Sequence, residues 1–351
     1  MLIKRKKFLE CRKLLYSRIY RQCFSPDGEW LVLSDSLRRL CFFRLRDSLT
    51  AVSVASTPNA YSVHHSIVVS HPVYALASNK LLLLCGDGSG NLFAYRWTEL
   101  LAFSSDEDTS ASPEPLFIMN GYASVTNIPG PNEINAICML NDERIGFAGA
   151  GDNSVQIVDL EYPNKVMSRL TGHSDYINEL ANWTSENELL SASEDGTVRV
   201  WDARMGQPAR IISVSDEKRV QRQMLGRDVC GLDVHGPWMV CGGGVELGIW
   251  HLESGVLASP LICESNKPVR HTVVKICGER ILTGGTSPYM SQWKHSGEFV
   301  TSLKTSARVI YSIETNRNGK NNVTTSAGDS PFVDVFLTMG YISFVLNTSD
   351  G

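Results

Sequence analysis

No two cysteines of this chain form a C-x-x-C pair, and its nine (Cys11, Cys23, Cys41, Cys85, Cys138, Cys230, Cys241, Cys263 and Cys277) are odd in number. That spacing argues against a disulfide framework and a zinc site, and suits reduced, buried thiols of a cytosolic or nuclear protein. Long apolar runs are missing as well. None approaches the ~18 to 20 residues of a membrane-crossing helix, and no hydrophobic stretch of the secretory kind follows the basic start. No membrane partner is expected. Charge of one sign is scarce: 33 Lys and Arg stand against 37 Asp and Glu, a net charge of -4. Such a surface is not built as a whole to neutralise phosphates, so direct RNA binding is not expected. The glycine clusters CGGG (241–244) and LCGDGSG (84–90) lack a following helix whose N-terminus could hold a phosphate, so both read as turns and no cofactor is called for. His64 and His65 are adjacent, and neighbours on a strand point to opposite faces, so they are not expected to share a metal.

What is present is an ordinary globular composition, 43% hydrophobic and 20% charged over 351 residues, enough to bury a large core. The start, MLIKRKKFLECRKLLYSRIYRQ, is strongly basic, with Glu10 its single acid. Residues 1–16 read as a helical appendage: Phe8, Leu9, Leu14 and Leu15 give an apolar stripe for a helical partner. Lys4, Arg5, Lys6 and Lys7 form a compact cluster of the nuclear-import kind. A mitochondrial transit peptide also has such an acid-poor start, but this one is not Ser-rich and leads straight into folded-looking sequence.

Beyond the start, one pattern repeats. LLSASEDGTVRVWDAR joins two β-rich runs through Asp195 and Gly196, residues suited to a tight hairpin turn. Comparable units occur at 30–45, 81–97, 145–160, 238–252, 281–295 and 323–336, seven in all. Taking Phe43, Tyr95, Val158, Trp201, Trp250, Trp293 and Val335 as equivalent positions, four of the six intervals fall near the ~40 to 45 residues of a propeller blade. The longest interval contains SSDEDTSASPEP (104–115), an acidic, proline-bearing stretch that reads as a disordered loop. Deleting residues 105–114 is expected to barely move the melting temperature, because loop length costs little entropy; a loss of several degrees in a thermal scan would show that the loop packs. No helix of ordinary length is called for between units. The expected fold is therefore all-β: a seven-bladed propeller over residues 17–347, with GYISFVLN (340–347) supplying the last blade's fourth strand.

Residues 171–202 contain GH at the start and WD at the end, and this unit resembles the WD-repeat family. The resemblance places His173 before the innermost strand, Ser191 on the second, Asp195 in the turn and Trp201 on the third, linked by hydrogen bonds. A serine, a histidine and an aspartate could equally be drawn as a hydrolytic triad. Ser191, however, lies mid-strand among apolar neighbours and not on the exposed elbow that a nucleophile needs, so a structural brace is expected and no catalytic residue is assigned. Ten positions before the other Trp201 equivalents stand Leu33, Cys85, Ala148, Val240, Thr283 and Thr325, of which only two carry a hydroxyl.

The succession GHSDYI, LLSASEDGTVRVWDAR, WMVCGGGVELGIWHLESG, VRHTVVKICGERILTGG and VDVFLTMGYISF is similar in order and spacing to the WD-repeat subunit family of the THO complex, over about residues 130–346 and more loosely before. The resemblance implies a nuclear, non-catalytic scaffold in mRNA packaging, processing and export, with other THO subunits, helical or coiled-coil ones, as partners. A different WD adaptor, such as a ubiquitin-ligase substrate receptor, is the alternative. Neither reading calls for a small-molecule substrate. Lys218, Arg219, Arg222 and Arg227, in the loop 213–228 and without an aromatic to stack a base, read as an acidic-partner surface or a solvated loop.

Overall fold

The computed structural model describes residues 16–46, 49, 60–103, 113–121, 132–183, 187–222, 224–262, 268–316, 322–337 and 340–348. The N-terminal residues Lys4, Arg5, Lys6, Lys7, Phe8, Leu9, Leu14 and Leu15, and most of the acidic stretch 104–115, lie outside them.

Seven antiparallel sheets follow one another along the chain. Blade one comprises Ile19–Phe24, Trp30–Asp35, Arg39–Arg44 and His65–Val68, and blade two Val73–Ser78, Leu82–Asp87, Asn91–Arg96 and Phe117–Asn120. Blade three is Ile134–Met139, Arg144–Gly149, Val155–Asp159 and Val166–Leu170; blade four is Ile177–Asn182, Glu188–Ser193, Val198–Asp202 and Pro208–Ile212. Blade five runs Val229–His235, Trp238–Gly243, Gly248–His251 and Val256–Pro260, and blade six His271–Cys277, Arg280–Gly285, Ser287–Lys294 and Phe299–Lys304. Blade seven is Ile310–Asn316, Val323–Gly328, Phe332–Phe336 and Phe344–Asn347. Neighbouring blades bury apolar clusters between their faces, such as the one joining blades five and six through Val240, Leu247, Ile249, Val274, Ile281 and Trp293. No helix among the described residues is long and apolar enough to cross a membrane; the short helix Trp97–Ala102 follows the third strand of blade two.

The ring closes by side chains that tie its two ends. Gln22 Nε2 donates to Ser312 O at 3.1 Å, Asn316 Nδ2 to Gly28 O at 2.8 Å, and an Arg39 guanidinium nitrogen to Thr348 O at 3.0 Å. Blade seven also has a fifth strand that the repeat pattern does not announce. Ala60–Tyr61, from the long connection inside blade one, pairs in parallel with the strand Phe344–Asn347. A strand edge is a template for unwanted pairing, and this segment covers that one.

Inside the ring, every innermost strand carries a bulge one residue after its start. Just beyond the bulge of blade one, Arg21 spans the channel: its guanidinium bonds Tyr74 O of blade two (3.2 Å), Asn135 O of blade three (3.3 Å) and the Glu179 carboxylate of blade four (2.7 Å). Lys275 and Glu314 pair at 3.1 Å between blades six and seven. The channel is crossed by charged pairs and keeps a cavity of about 250 Å³ between them, lined by Arg21, Glu179, Lys275 and Glu314 among others.

Candidate functional site

The hairpin between the second and third strands of blade four turns at Asp195 and Gly196, where Gly196 has φ +85° and an added Cβ would lie 2.5 Å from Ser215 Oγ. That turn fixes Asp195 beside the loop carrying His173. Trp201 Nε1 donates to Ser191 Oγ at 2.8 Å; Ser191 Oγ lies 2.7 Å from His173 Nε2; His173 Nδ1 lies 2.7 Å from Asp195 Oδ2. The serine has one proton, and the indole already occupies one of its lone pairs. The Asp195 carboxylate only accepts, so the neutral imidazole carries its proton on Nδ1, facing it, and Nε2 accepts the Ser191 hydroxyl proton. Asp195 also accepts from the backbone N–H of Ser174 (3.1 Å) and from Thr197, by its backbone N–H (2.9 Å) and its hydroxyl (2.6 Å).

Burial pushes the Asp195 carboxyl up, but hydrogen bonds from His173, Thr197 and Ser174 outweigh it and hold the group well below the usual carboxylate range. Burial drives His173 below its ordinary value against the pull of Asp195, so the ring is neutral at pH 7. Connectivity is that of a hydrolytic triad. Accessibility is not: Ser191 and Trp201 are 0% exposed, and the His173 side chain is also 0% exposed. A substrate carbonyl cannot reach Ser191 Oγ, and the indole sits on the oxygen that would attack.

The strand registers correct the fixed ten-residue offset. Ser191 pairs with Arg199, and Leu189 with Trp201. The same registers place Phe147 at the serine position of blade three, not Ala148, and Cys241 at that of blade five, not Val240. In blade seven Ser326 takes that position in place of Thr325, and Phe336 takes the tryptophan position in place of Val335. Hairpins one residue longer or shorter shift the count in blades three and five. Blade six repeats the indole–hydroxyl bond at the matching positions, Trp293 Nε1 to Thr283 Oγ1 at 3.2 Å. In blade five the buried Trp250 Nε1 has no partner among the described residues. Cys241→Ser, which places a better acceptor opposite it, is expected to raise unfolding stability by about 0.5 to 1.5 kcal/mol, read as a higher urea midpoint.

The four basic residues of the loop 213–228 do not form one patch. Lys218, Arg219 and Arg227 are exposed. Arg219 pairs with Glu217 at 3.0 Å and donates to Leu257 O. Arg222 turns inward, bonding Val269 O at 2.7 Å and Val245 O at 3.2 Å and pairing with Glu246 at 2.8 Å. It ties the loop to blades five and six, with its Nε left unpartnered among the described residues. The adjacent histidines also differ from expectation: His64 and His65 approach with Nδ1···Nδ1 at 3.3 Å, because His64 precedes the strand and escapes its alternation. No cluster of three or more metal-ligating side chains occurs among the described residues.

Seven blades, six of four strands and the seventh of five, with the His–Ser–Asp–Trp chain in one of them, define a WD-repeat β-propeller. The WD domain, G-beta repeat family matches residues 164–202, the stretch that holds this chain. Similarity to known proteins runs much further. The chain is 30% identical over 338 residues to "THO complex subunit 6 homolog" of Danio rerio, covering 95% of this chain and 98% of that protein. It is 30% identical to "THO complex subunit 6" of Homo sapiens (95% and 93% covered) and 25% identical to that of Arabidopsis thaliana (96% and 94%). The chain belongs to the THO complex subunit 6 family.

Proposed function

We propose that this chain is a non-catalytic scaffold subunit of a nuclear THO assembly, acting in mRNA packaging, processing and export through contacts with helical or coiled-coil subunits. The observation that carries the reading is the combination of family similarity along almost the whole chain with a Ser–His–Asp chain sealed from solvent. A rigid ring presents many loops at fixed positions, which suits binding better than chemistry. The test is co-purification of the tagged chain from nuclei, with recovered subunits identified by mass spectrometry. Recovery of THO subunits is expected; recovery of ubiquitin-ligase components without them would replace this reading by the adaptor alternative. Alongside it, a fluorophosphonate probe is expected to leave Ser191 unlabelled, and stoichiometric labelling would overturn the non-catalytic assignment.

Residues 1–16 carry the proposed assembly and import roles: Phe8, Leu9, Leu14 and Leu15 offer an apolar stripe, and Lys4, Arg5, Lys6 and Lys7 a basic cluster. A chain lacking 1–16 is expected to remain folded and monodisperse, recover fewer partner subunits on pull-down and enter nuclei less efficiently. Aggregation, or melting far below the full-length chain, would instead make the segment part of the propeller. Among the loop residues, Lys218, Arg219 and Arg227 are exposed and are the candidate contacts for an acidic partner, with Arg222 behind them.

A further inference from the structure

All seven innermost strands begin at the same mouth of the channel, so the residues at their bulges ring that mouth. In three successive blades, seven, one and two, the bulge residue is a tyrosine: Tyr311, Tyr20 and Tyr74. All three are partly exposed. Tyr20 and Tyr74 meet edge to face with ring centroids 5.0 Å apart, and Tyr16, 72% exposed, leads into the same strand as Tyr20. Elsewhere on the rim the bulge side chains are short, and two of them are spent on the next blade: Asn178 donates to Val229 O at 3.1 Å and Thr272 to Ile310 O.

Burial sorts the charges of this arc by sign. Asp35 and Asp87, which end the second strands of blades one and two, are buried and accept from the backbone of their own turns. Asp329 of blade seven, its side chain 11% exposed, accepts from the backbone N–H groups of Arg308 and Val309. The arginines beside these acids face solvent. Arg18 and Arg38 are exposed, and the Arg308 side chain is 85% exposed although its Nε lies 3.3 Å from Asp329. The sequence leading to Tyr16 has the same sign, with Lys4, Arg5, Lys6, Lys7, Arg12 and Lys13 against Glu10. Burial raises the Tyr20 and Tyr74 phenols above their ordinary values, so both keep their protons at pH 7 and can donate. Guanidinium and phenol donors side by side are a set that recognises carboxylates.

We propose that this arc, over blades seven, one and two, docks the acidic face of a helical partner subunit, whose carboxylates meet Arg18 and Arg308 and the tyrosine hydroxyls. The partner's being a helical subunit rests on the scaffold reading above; its acidity rests on the arc. Tyr16 joins the arc to the segment 1–16, to which partner binding is assigned above, so one partner meets both. A cationic occupant would face the exposed arginines. Among anions, a protein suits the arc better than a nucleic acid. Tyr20 and Tyr74 pack into each other, so their ring faces are largely covered and are poor platforms for a stacked base. Glu133, Asp175 and Glu194, partly exposed where blades three and four reach the mouth, would repel a phosphate chain crossing it, whereas a protein can meet them with its own cations. Between the two arcs Arg270 and Asp228 pair at 2.8 Å and cancel.

Carbodiimide coupling reads such a contact directly, because it joins an amine to a carboxylate only where the two touch. Arg18→Lys and Arg308→Lys keep the charge and supply amines. In the purified assembly, coupling is expected to link position 18 or 308 to an aspartate or glutamate of another subunit, located by mass spectrometry. Arg18→Glu and Arg308→Glu, made together, are expected to lower the recovery of THO subunits on pull-down roughly tenfold. Lys165→Glu, an exposed reversal on blade three, is the control and is expected to leave recovery unchanged. If the double reversal melts far below the parent, the coupling result on the lysine variants decides alone. Coupling of positions 18 and 308 to no other subunit, or full recovery with a folded double reversal, overturns the dock. Ultraviolet cross-links from the rim tyrosines to RNA, with subunits lost on nuclease treatment, overturn the protein occupant. A parent chain that recovers no THO subunit overturns the scaffold reading and the dock with it, whereas a parent and a double reversal that recover them equally overturn the dock alone.

Discussion

Ser191→Ala is expected to lower the unfolding free energy by about 2 to 5 kcal/mol, because it strands two buried groups at once, each worth ~1 to 3 kcal/mol. Trp201 Nε1 loses its acceptor and His173 Nε2 its donor, and neither has water at hand, since the serine and the tryptophan are fully buried. Thr283→Val in blade six makes an instructive control. It keeps side-chain volume and strands only the Trp293 N–H, so about 1 to 3 kcal/mol is expected. The gap between the two variants measures the stranded imidazole. Because Ser191 and Trp201 share one bond, a double-mutant cycle with Trp201→Phe should be less than additive. Urea titrations at unchanged m-value read all of these. If Ser191→Ala falls within ~0.5 kcal/mol of the parent, as an ordinary surface change does, the chain of four does not brace the blade.

The sequence announces such features unevenly, for physical reasons. Hairpins were legible: Asp195–Gly196 needs a positive φ at the glycine, and few other dipeptides turn so tightly. The four members of the blade-four chain were legible too, because their residue types stand at the spacing that a blade of this length imposes. Register was not. One residue more or less in a hairpin leaves the hydrophobic alternation intact while moving the serine position from Ala148 to Phe147, or from Val240 to Cys241. The parallel strand Ala60–Tyr61 has no local signal, being two residues whose partner lies far along the chain. Arg222 was equally opaque: a cation in a polar loop is normally solvated, and only the approach of blade six, bringing Val269 O, turns it inward. Proximity of His64 and His65 depended on where the strand begins, the least predictable property of any element.

Acid should loosen this propeller through its buried histidines. Burial pushes His65 down to about 4, with His64 adding to the shift, and His271 down to about 3; it lowers His173 as well. In the unfolded chain each would titrate near ~6.5. Between those values the unfolded state binds protons that the folded state refuses, so stability is complete above about pH 6.5 and falls as the pH drops toward the folded values. Each such histidine contributes a slope of up to about 1.4 kcal/mol per pH unit. Five carboxyls act the other way: burial holds Glu133, Glu194, Glu246, Glu314 and Asp334 above their ordinary values, so the folded state takes up their protons first and opposes the loss, whereas Asp195, held below its ordinary value, adds to it as the pH falls through the carboxylate range. A difference measurement isolates one histidine. His271→Gln has no group to titrate at that position, so the stability of the parent minus that of the variant should be constant above about pH 7. It should then shrink by about 2 kcal/mol by pH 5, one and a half units below the unfolded value. Urea unfolding of both proteins at the two pH values gives the number. A difference independent of pH would mean that His271 titrates normally, and therefore that water reaches its ring between blades five and six.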